Sequence, residues 1–208
     1  VEVDATIDYI NFPAQCARRM EGDIFPSDEP NEQIWIHRVP YGVTVALTAW
    51  NFPVALAGRK FGPSLVAGNT MVVKPPPLTP VATMELGQLA TEAGLPPGVI
   101  NMVPGSGGQV GDPVLASPDL AGIHFTGSTE VFKGMWKRIG ENIADYKYYP
   151  RIVGETGGKD FVFAHRSADV DALVAALIRG AFEFQGQKCS AASRAFIPKS
   201  LWPRVWRK

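Results

Sequence analysis

The 208-residue chain is 46% hydrophobic and 19% charged, with 20 basic and 20 acidic residues that cancel to zero net charge. Such a chain can bury a sizeable core, and its charge balance argues against a nucleic-acid or anionic-membrane surface. Two cysteines, Cys16 and Cys189, are too few for a secreted disulfide framework. They point to a reduced setting, cytoplasmic or, in a eukaryote, the mitochondrial matrix.

The N-terminal VEVDATIDYI has no basic segment ahead of an apolar run, so no signal peptide is expected. No run of about 18 apolar residues is present to span a bilayer. The chain opens on Val1 rather than Met and stops at WPRVWRK soon after a strand-like run, so a longer parent protein is expected. Residues 4–21 carry a helical pattern, with Pro13 expected to kink it or split it in two. Residues 33–42 read as an exposed strand running into a turn.

From residue 43 the pattern changes. VTVALTA (43–49) is a β-branched apolar run suited to a strand buried on both faces. Residues 51–68 read as a helix closed by Gly68, and 70–75 as a second strand. Residues 77–95 form a helix with Thr79 as N-cap and Pro80 in the first turn. A third strand (98–105), a short helix (107–117), a fourth strand (120–127) and a helix (128–142) follow, and then a fifth strand within 144–160. This alternation predicts βαβ units and an α/β fold around a parallel sheet. FVFAH (161–165), a helix over 167–184 with Ser167 as N-cap, and a strand at 195–197 read as the start of a second α/β domain. The organisation expected is an N-terminal helix and strand (1–41), a nucleotide-type domain (42–158) and an incomplete domain (159–208).

Ligands of open parallel sheets bind beyond the carboxyl ends of the strands. Polar residues and glycines recur there: Asn51, Lys74, Gly105, Gly107, Gly108, Gly111, Thr126, Gly127, Ser128 and Glu155. Each has a plain alternative. Asn51 reads equally as a helix N-cap or as an oxyanion donor. Lys74 reads as a solvated lysine or as a donor to a ribose. The loops PGSGGQVG and FTGST serve as ordinary turns or as phosphate cradles at helix N-termini. Glu155, in VGETGGK, reads as a solvated carboxylate or as a general base for water. Cys189 stands in FEFQGQKCSAASR among Gln187, Lys188 and Ser190, a setting better suited to a partly exposed thiol than to a core position. The histidines His37, His124 and His165 are scattered without metal-ligand spacing, and His124, on an apolar strand, reads as a core residue.

Taken in order, AWNFP, GPSLVAGNTMVVKP, GLPPGVINMVPG, FTGST, GETGGK and GQKCSA resemble the aldehyde dehydrogenase superfamily, from about residue 5 onward. HFTGSTEVFKGMWK through FVFAH, with FEFQGQKCSAASR, looks most like its glutamate-semialdehyde (1-pyrroline-5-carboxylate) dehydrogenase branch. The first half looks more generic. The resemblance implies a Rossmann-like NAD(P)-binding domain and a catalytic domain, with NAD as cofactor and NADP as the alternative. It implies Cys189 as the nucleophile on an aldehyde, Asn51 and the Cys189 backbone N–H as oxyanion donors, and Glu155 as the base for water. Cofactor contacts are implied at Ala49, Trp50, Lys74, Gly105, Gly107, Gly111, Phe125, Thr126, Gly127 and Ser128, and a substrate contact at Ser190. The implied partners are a small-molecule aldehyde and, for the parent, further copies of itself, with no metal, nucleic acid or membrane.

This chain departs from the family at several points. Pro75, Pro76 and Pro77 follow Lys74 where many members carry a serine and a ribose-binding glutamate, Phe132 replaces a common glycine, and Pro13 interrupts a helix. A cysteine hydrolase and a non-catalytic nucleotide-binding fragment remain alternatives.

Overall fold

The computed structural model of the protein describes residues 1–208, which form two compact units, Val1–Glu155 and Thr156–Lys208. The first unit opens with helix α1 (Glu2–Cys16), followed by a single 3-10 turn and a short antiparallel hairpin of β1 (Ile24–Pro26) and β2 (Gln33–Trp35). Next come β3 (Val43–Leu47), α2 (Ala55–Val66), β4 (Thr70–Lys74), α3 (Pro80–Glu92) and β5 (Ile100–Met102). A wide turn over Gly107–Gly111 leads into α4 (Asp112–Ala116), and β6 (Leu120–Thr126), α5 (Thr129–Glu141) and β7 (Arg151–Glu155) complete the unit.

Strands β3 to β7 make one parallel five-stranded sheet in the order β5-β4-β3-β6-β7. The short apolar runs suit central strands because helices cover both faces. Alternate residues divide between two cores. Val45, Leu47, Ile123 and Phe125 pack with Leu115 of α4 and with Met135 and Ile139 of α5. Ala46, Met71 and Val73 face Ala57 and Phe61 of α2. Each fully buried large apolar side chain contributes roughly 1.5–3 kcal/mol.

Helix α1 does not break at Pro13 but runs from Glu2 to Cys16 with the proline inside it. The reason lies in α2, where Gly58 and Gly62 are one turn apart. A Cβ on Gly62 would stand 2.7 Å from the Tyr9 carbonyl, the acceptor that Pro13 cannot serve, and 2.9 Å from Pro13 Cγ. A Cβ on Gly58 would stand 2.6 Å from Thr6 Cγ2. The two glycines open a channel into which α1 settles, and this packing holds the proline-bearing helix.

The second unit holds β8 (Phe161–Phe163), α6 (Val170–Phe182), β9 (Arg194–Phe196) and α7 (Trp202–Trp206), with β8 parallel to β9. Its own core comprises Ala164, Val170, Leu173, Leu201 and Val205. The cap of α6 is Asp169, whose Oδ1 accepts from the Ala172 N–H at 2.8 Å. Ser167, the expected cap, instead pairs with His165 Nδ1 at 2.8 Å. Thr79 occupies the N-cap position of α3 without capping it, because its hydroxyl donates to the Trp50 carbonyl. No helix is long and apolar enough to cross a membrane.

Candidate functional site

The chain runs outward from β3 through β4 to β5, then returns to the other side of β3 with β6 and β7. Such a reversal opens a crevice at the carboxyl ends of the two strands that flank it, here β3 and β6. The register sets the strand ends level: Leu47 pairs with Lys74 and with Phe125, and Thr126 pairs with Glu155. The residues singled out at the ends of β3, β4, β6 and β7 therefore share one end of the sheet.

The loop after β3 carries Thr48, Ala49, Trp50 and Asn51, with Trp50 exposed. Three tethers fix it. Thr79 Oγ1 donates to the Trp50 carbonyl at 3.4 Å, and Thr83 Oγ1 to the Pro53 carbonyl at 2.8 Å. Glu2 Oε1 accepts from the N–H groups of Val54 and Ala55 at 2.7 and 3.0 Å. The orphan donors at the start of α2 are thus met by a carboxylate from α1. Asn51 precedes the helix by several residues, and Val54 holds the N-cap position.

Thr48 is 8% exposed, and its hydroxyl is the one buried side-chain polar atom without a hydrogen-bond partner. A group of this kind asks for an explanation; its oxygen is closed to solvent just past the carboxyl end of β3. Lys74 is buried rather than solvated, its Nζ donating to the Pro75 carbonyl at 3.0 Å. Burial pushes its pKa below the usual lysine value, and an ammonium with donors to spare suits a hydroxyl-rich ligand. Lys74, at the carboxyl end of β4, has the donor chemistry that a dinucleotide's ribose hydroxyls call for.

The glycine loops are more ordinary. Ser106 and Gln109 close a capping box, in which Ser106 Oγ accepts the Gln109 N–H and Gln109 Oε1 accepts the Ser106 N–H. A Cβ at Gly107 or Gly111 would meet nothing within 4 Å, whereas one at Gly105 would press on Val110 Cγ2 at 2.8 Å. In FTGST, the Gly127 N–H donates to the Glu155 carbonyl at 3.1 Å, and Ser128 caps α5. Phe125 is a core residue, its ring packed under Gly127 and stacked 5.8 Å from Phe132.

At the ends of β6 and β7, Thr126 and Glu155 join two residues that the sequence did not single out, Lys60 and Arg59. Lys60 of α2 is 1% exposed and donates from Nζ to Thr126 Oγ1 at 2.7 Å. Thr126 in turn donates to Glu155 Oε2 at 3.2 Å, and Arg59 Nη2 meets Glu155 Oε1 at 2.9 Å. Burial lowers the pKa of Lys60 to about 8, with Glu155 opposing and Arg59 adding to the shift. His124, half-buried on β6, is pushed down to about 4, mainly by burial and then by Lys60. The available sequence cue was an adjacent pair of cations, Arg59 and Lys60, on a largely apolar helix.

In the second unit Cys189 is an exposed free thiol, and Ser190 beside it is also exposed. Two contacts shape its loop. The Ala192 N–H donates to the Gly180 carbonyl at 2.8 Å, and a Cβ on Gly158 would lie 2.1 Å from the Cys189 carbonyl oxygen. Only glycine at 158 admits that approach. Upstream, Phe184 and Gln185 both have φ of 53°, and the left-handed region costs about 1–2 kcal/mol for each non-glycine residue.

A reversing parallel sheet with a polar crevice at its carboxyl edge, together with a glycine-backed thiol loop, defines an α/β nucleotide-cleft protein with a candidate nucleophile. The chain belongs to the aldehyde dehydrogenase family, whose profile matches residues 1–208. It is 41% identical over 207 residues to the mitochondrial delta-1-pyrroline-5-carboxylate dehydrogenase of Bos taurus, covering 98% of this chain and 37% of that protein. It superposes on the delta-pyrroline-5-carboxylate dehydrogenase of Mycobacterium tuberculosis, bound with NAD, with a TM-score of 0.85 and 48% identity, over 98% of this chain and 38% of that one. A 3,6-anhydro-L-galactose dehydrogenase solved with NADP gives a TM-score of 0.91 and 41% identity over 99% of this chain and 42% of that one. The chain therefore spans well under half the length of these relatives.

Proposed function

We propose that the protein carrying this chain oxidises an aldehyde to a carboxylic acid with NAD or NADP, and that the aldehyde is L-glutamate γ-semialdehyde. The reversal of the parallel sheet between β3 and β6 carries the dinucleotide part of the reading, since ligands of such sheets bind at the carboxyl ends of the flanking strands. The relatives named as pyrroline-5-carboxylate dehydrogenases support the substrate. Residues 42–158 would form the cofactor domain, with Lys74 toward a ribose and the ends of β3 and β6, including Ala49, Trp50, Thr126 and Ser128, along the crevice. When bound, the nicotinamide supplies the hydride acceptor.

The chain's own groups divide the remaining work. The Cys189 thiolate adds to the aldehyde carbon, and the Asn51 amide and the Cys189 N–H hold the resulting oxyanion. A well-placed donor of this kind is worth about 3 kcal/mol. Oxidation leaves a thioester on Sγ. Glu155 takes a proton from water, which attacks the acyl carbon, and the acid departs as the thiolate is restored. Thr126 orients the Glu155 carboxylate through its 3.2 Å hydrogen bond.

The test follows NADH absorbance with glutamate semialdehyde, using this chain and a version extended to the length of its relatives. Turnover by the extended protein, lost in Cys189→Ser while NAD still binds, is the expected result. Undiminished turnover in Cys189→Ser would overturn the mechanism. Ester cleavage with no cofactor-dependent oxidation would assign the protein to the hydrolases instead.

A further inference from the structure

The approach to Cys189 runs through an unusual backbone. Phe184, Gln185 and Gly186 lie in succession in the left-handed region, with φ of 53°, 53° and 69°. Such a turn persists where its surroundings hold it. One side chain grips both ends of it. Glu183, the residue immediately before the turn, takes Arg179 Nε on Oε2 at 3.2 Å and Lys188 Nζ on Oε1 at 3.0 Å. Arg179 lies one turn back on α6, and Lys188 directly precedes Cys189. The carboxylate therefore fastens the end of a helix to the far side of the turn. Lys188 is only 22% exposed at its side chain, so its ammonium is held in place rather than left in solvent.

We propose that Glu183 is a positioning residue, whose carboxylate holds the left-handed turn closed through Arg179 and Lys188 and so sets the placement and reactivity of the Cys189 thiol. The inference rests on the reading of Cys189 as the nucleophile. The pairing also sets the charge beside the thiol. With Glu183 present the Lys188 ammonium is matched, and without it an unmatched cation is carried by the residue directly before Cys189 in the chain. The other charged groups at this loop are Lys159, Asp160, with Oδ2 against Gly158, and Arg194, which donates to the Lys159 carbonyl, and they are the same in every comparison below.

The experiment measures alkylation of Cys189 by iodoacetamide in the 208-residue chain across neutral and alkaline pH. Mass spectrometry of the Cys189 peptide keeps Cys16 out of the reading. Wild type, E183Q, K188Q and the double variant are compared. E183Q should change the rate at neutral pH by about threefold or more, as expected for coupled neighbours, and move the midpoint of the profile to lower pH. In the K188Q background, E183Q should have a smaller effect, since only the Arg179 pairing is then left to lose. An E183Q profile that overlays wild type, or a shift of equal size with and without Lys188, would overturn the proposal. If circular dichroism shows that E183Q has lost its fold, K188Q alone decides: an altered rate supports the coupling and an unchanged rate removes it. Alkylation needs neither aldehyde nor cofactor, so its outcome is separate from that of the NADH assay.

Discussion

At the scale of single residues, the Lys60–Thr126–Glu155–Arg59 cluster has the plainest energetic consequence. Lys60 is folded with a pKa near 8 against an ordinary 10.5. Between those two values the unfolded chain binds more protons than the folded one, so this lysine adds stability as pH rises through the window. Comparing wild type with Lys60→Met by urea denaturation, the difference in unfolding free energy should grow in favour of wild type by about 3 kcal/mol from pH 8 to 10.5. A difference that stays flat across that range would mean that the ammonium is not desolvated. Below pH 8 the same lysine is charged and held by Thr126, which ties it to the candidate base Glu155. Lys60 was legible in the sequence only as one of two adjacent cations in a largely apolar helix. Its side-chain partner Thr126 lies 66 residues away, and spacing rules see only neighbours.

At the scale of elements, the contact between α1 and α2 is built on the absence of two side chains. Gly62→Ala would place a methyl 2.7 Å from the Tyr9 carbonyl and 2.9 Å from Pro13. The helices would have to part, at a cost of about 1–3 kcal/mol, measurable as a lowered urea midpoint with unchanged slope. If Gly62→Ala matches wild type, the close approach is not what holds Pro13 within a helix. The same contact explains an error of local reading. Pro13 was expected to break α1, and by intrinsic propensity it should, but the helix is stabilised from outside by α2. The cap of α6 was missed by two residues for a smaller reason: Ser167 and Asp169 are both cap formers, and Ser167 is occupied by His165. By contrast, β3, β4 and β6 were legible because a short β-branched run, buried on both faces, has few other uses.

At the scale of the whole molecule, the division after Glu155 bears on which parts can act alone. The first unit has two cores of its own, and every residue proposed to touch the dinucleotide precedes the boundary. A chain cut after residue 158 should bind NAD with a dissociation constant within about threefold of that of the 208-residue chain, as read by calorimetry. A tenfold or greater loss would place part of the cofactor site beyond the boundary. The alternation of strands and helices around a parallel sheet was legible in sequence, because βαβ periodicity is a chain-local signal. The reversal of strand order was not, and neither were the unpartnered Thr48 hydroxyl and the buried Lys74, which depend on what surrounds each side chain in three dimensions.

Glu2 belongs to the opening turn of the chain, yet its carboxylate terminates the backbone of α2 just past Asn51. Displacing α1 from α2 would therefore loosen the loop bearing the proposed oxyanion donor without touching it. The first helix is in effect a latch on chemistry some fifty residues further along.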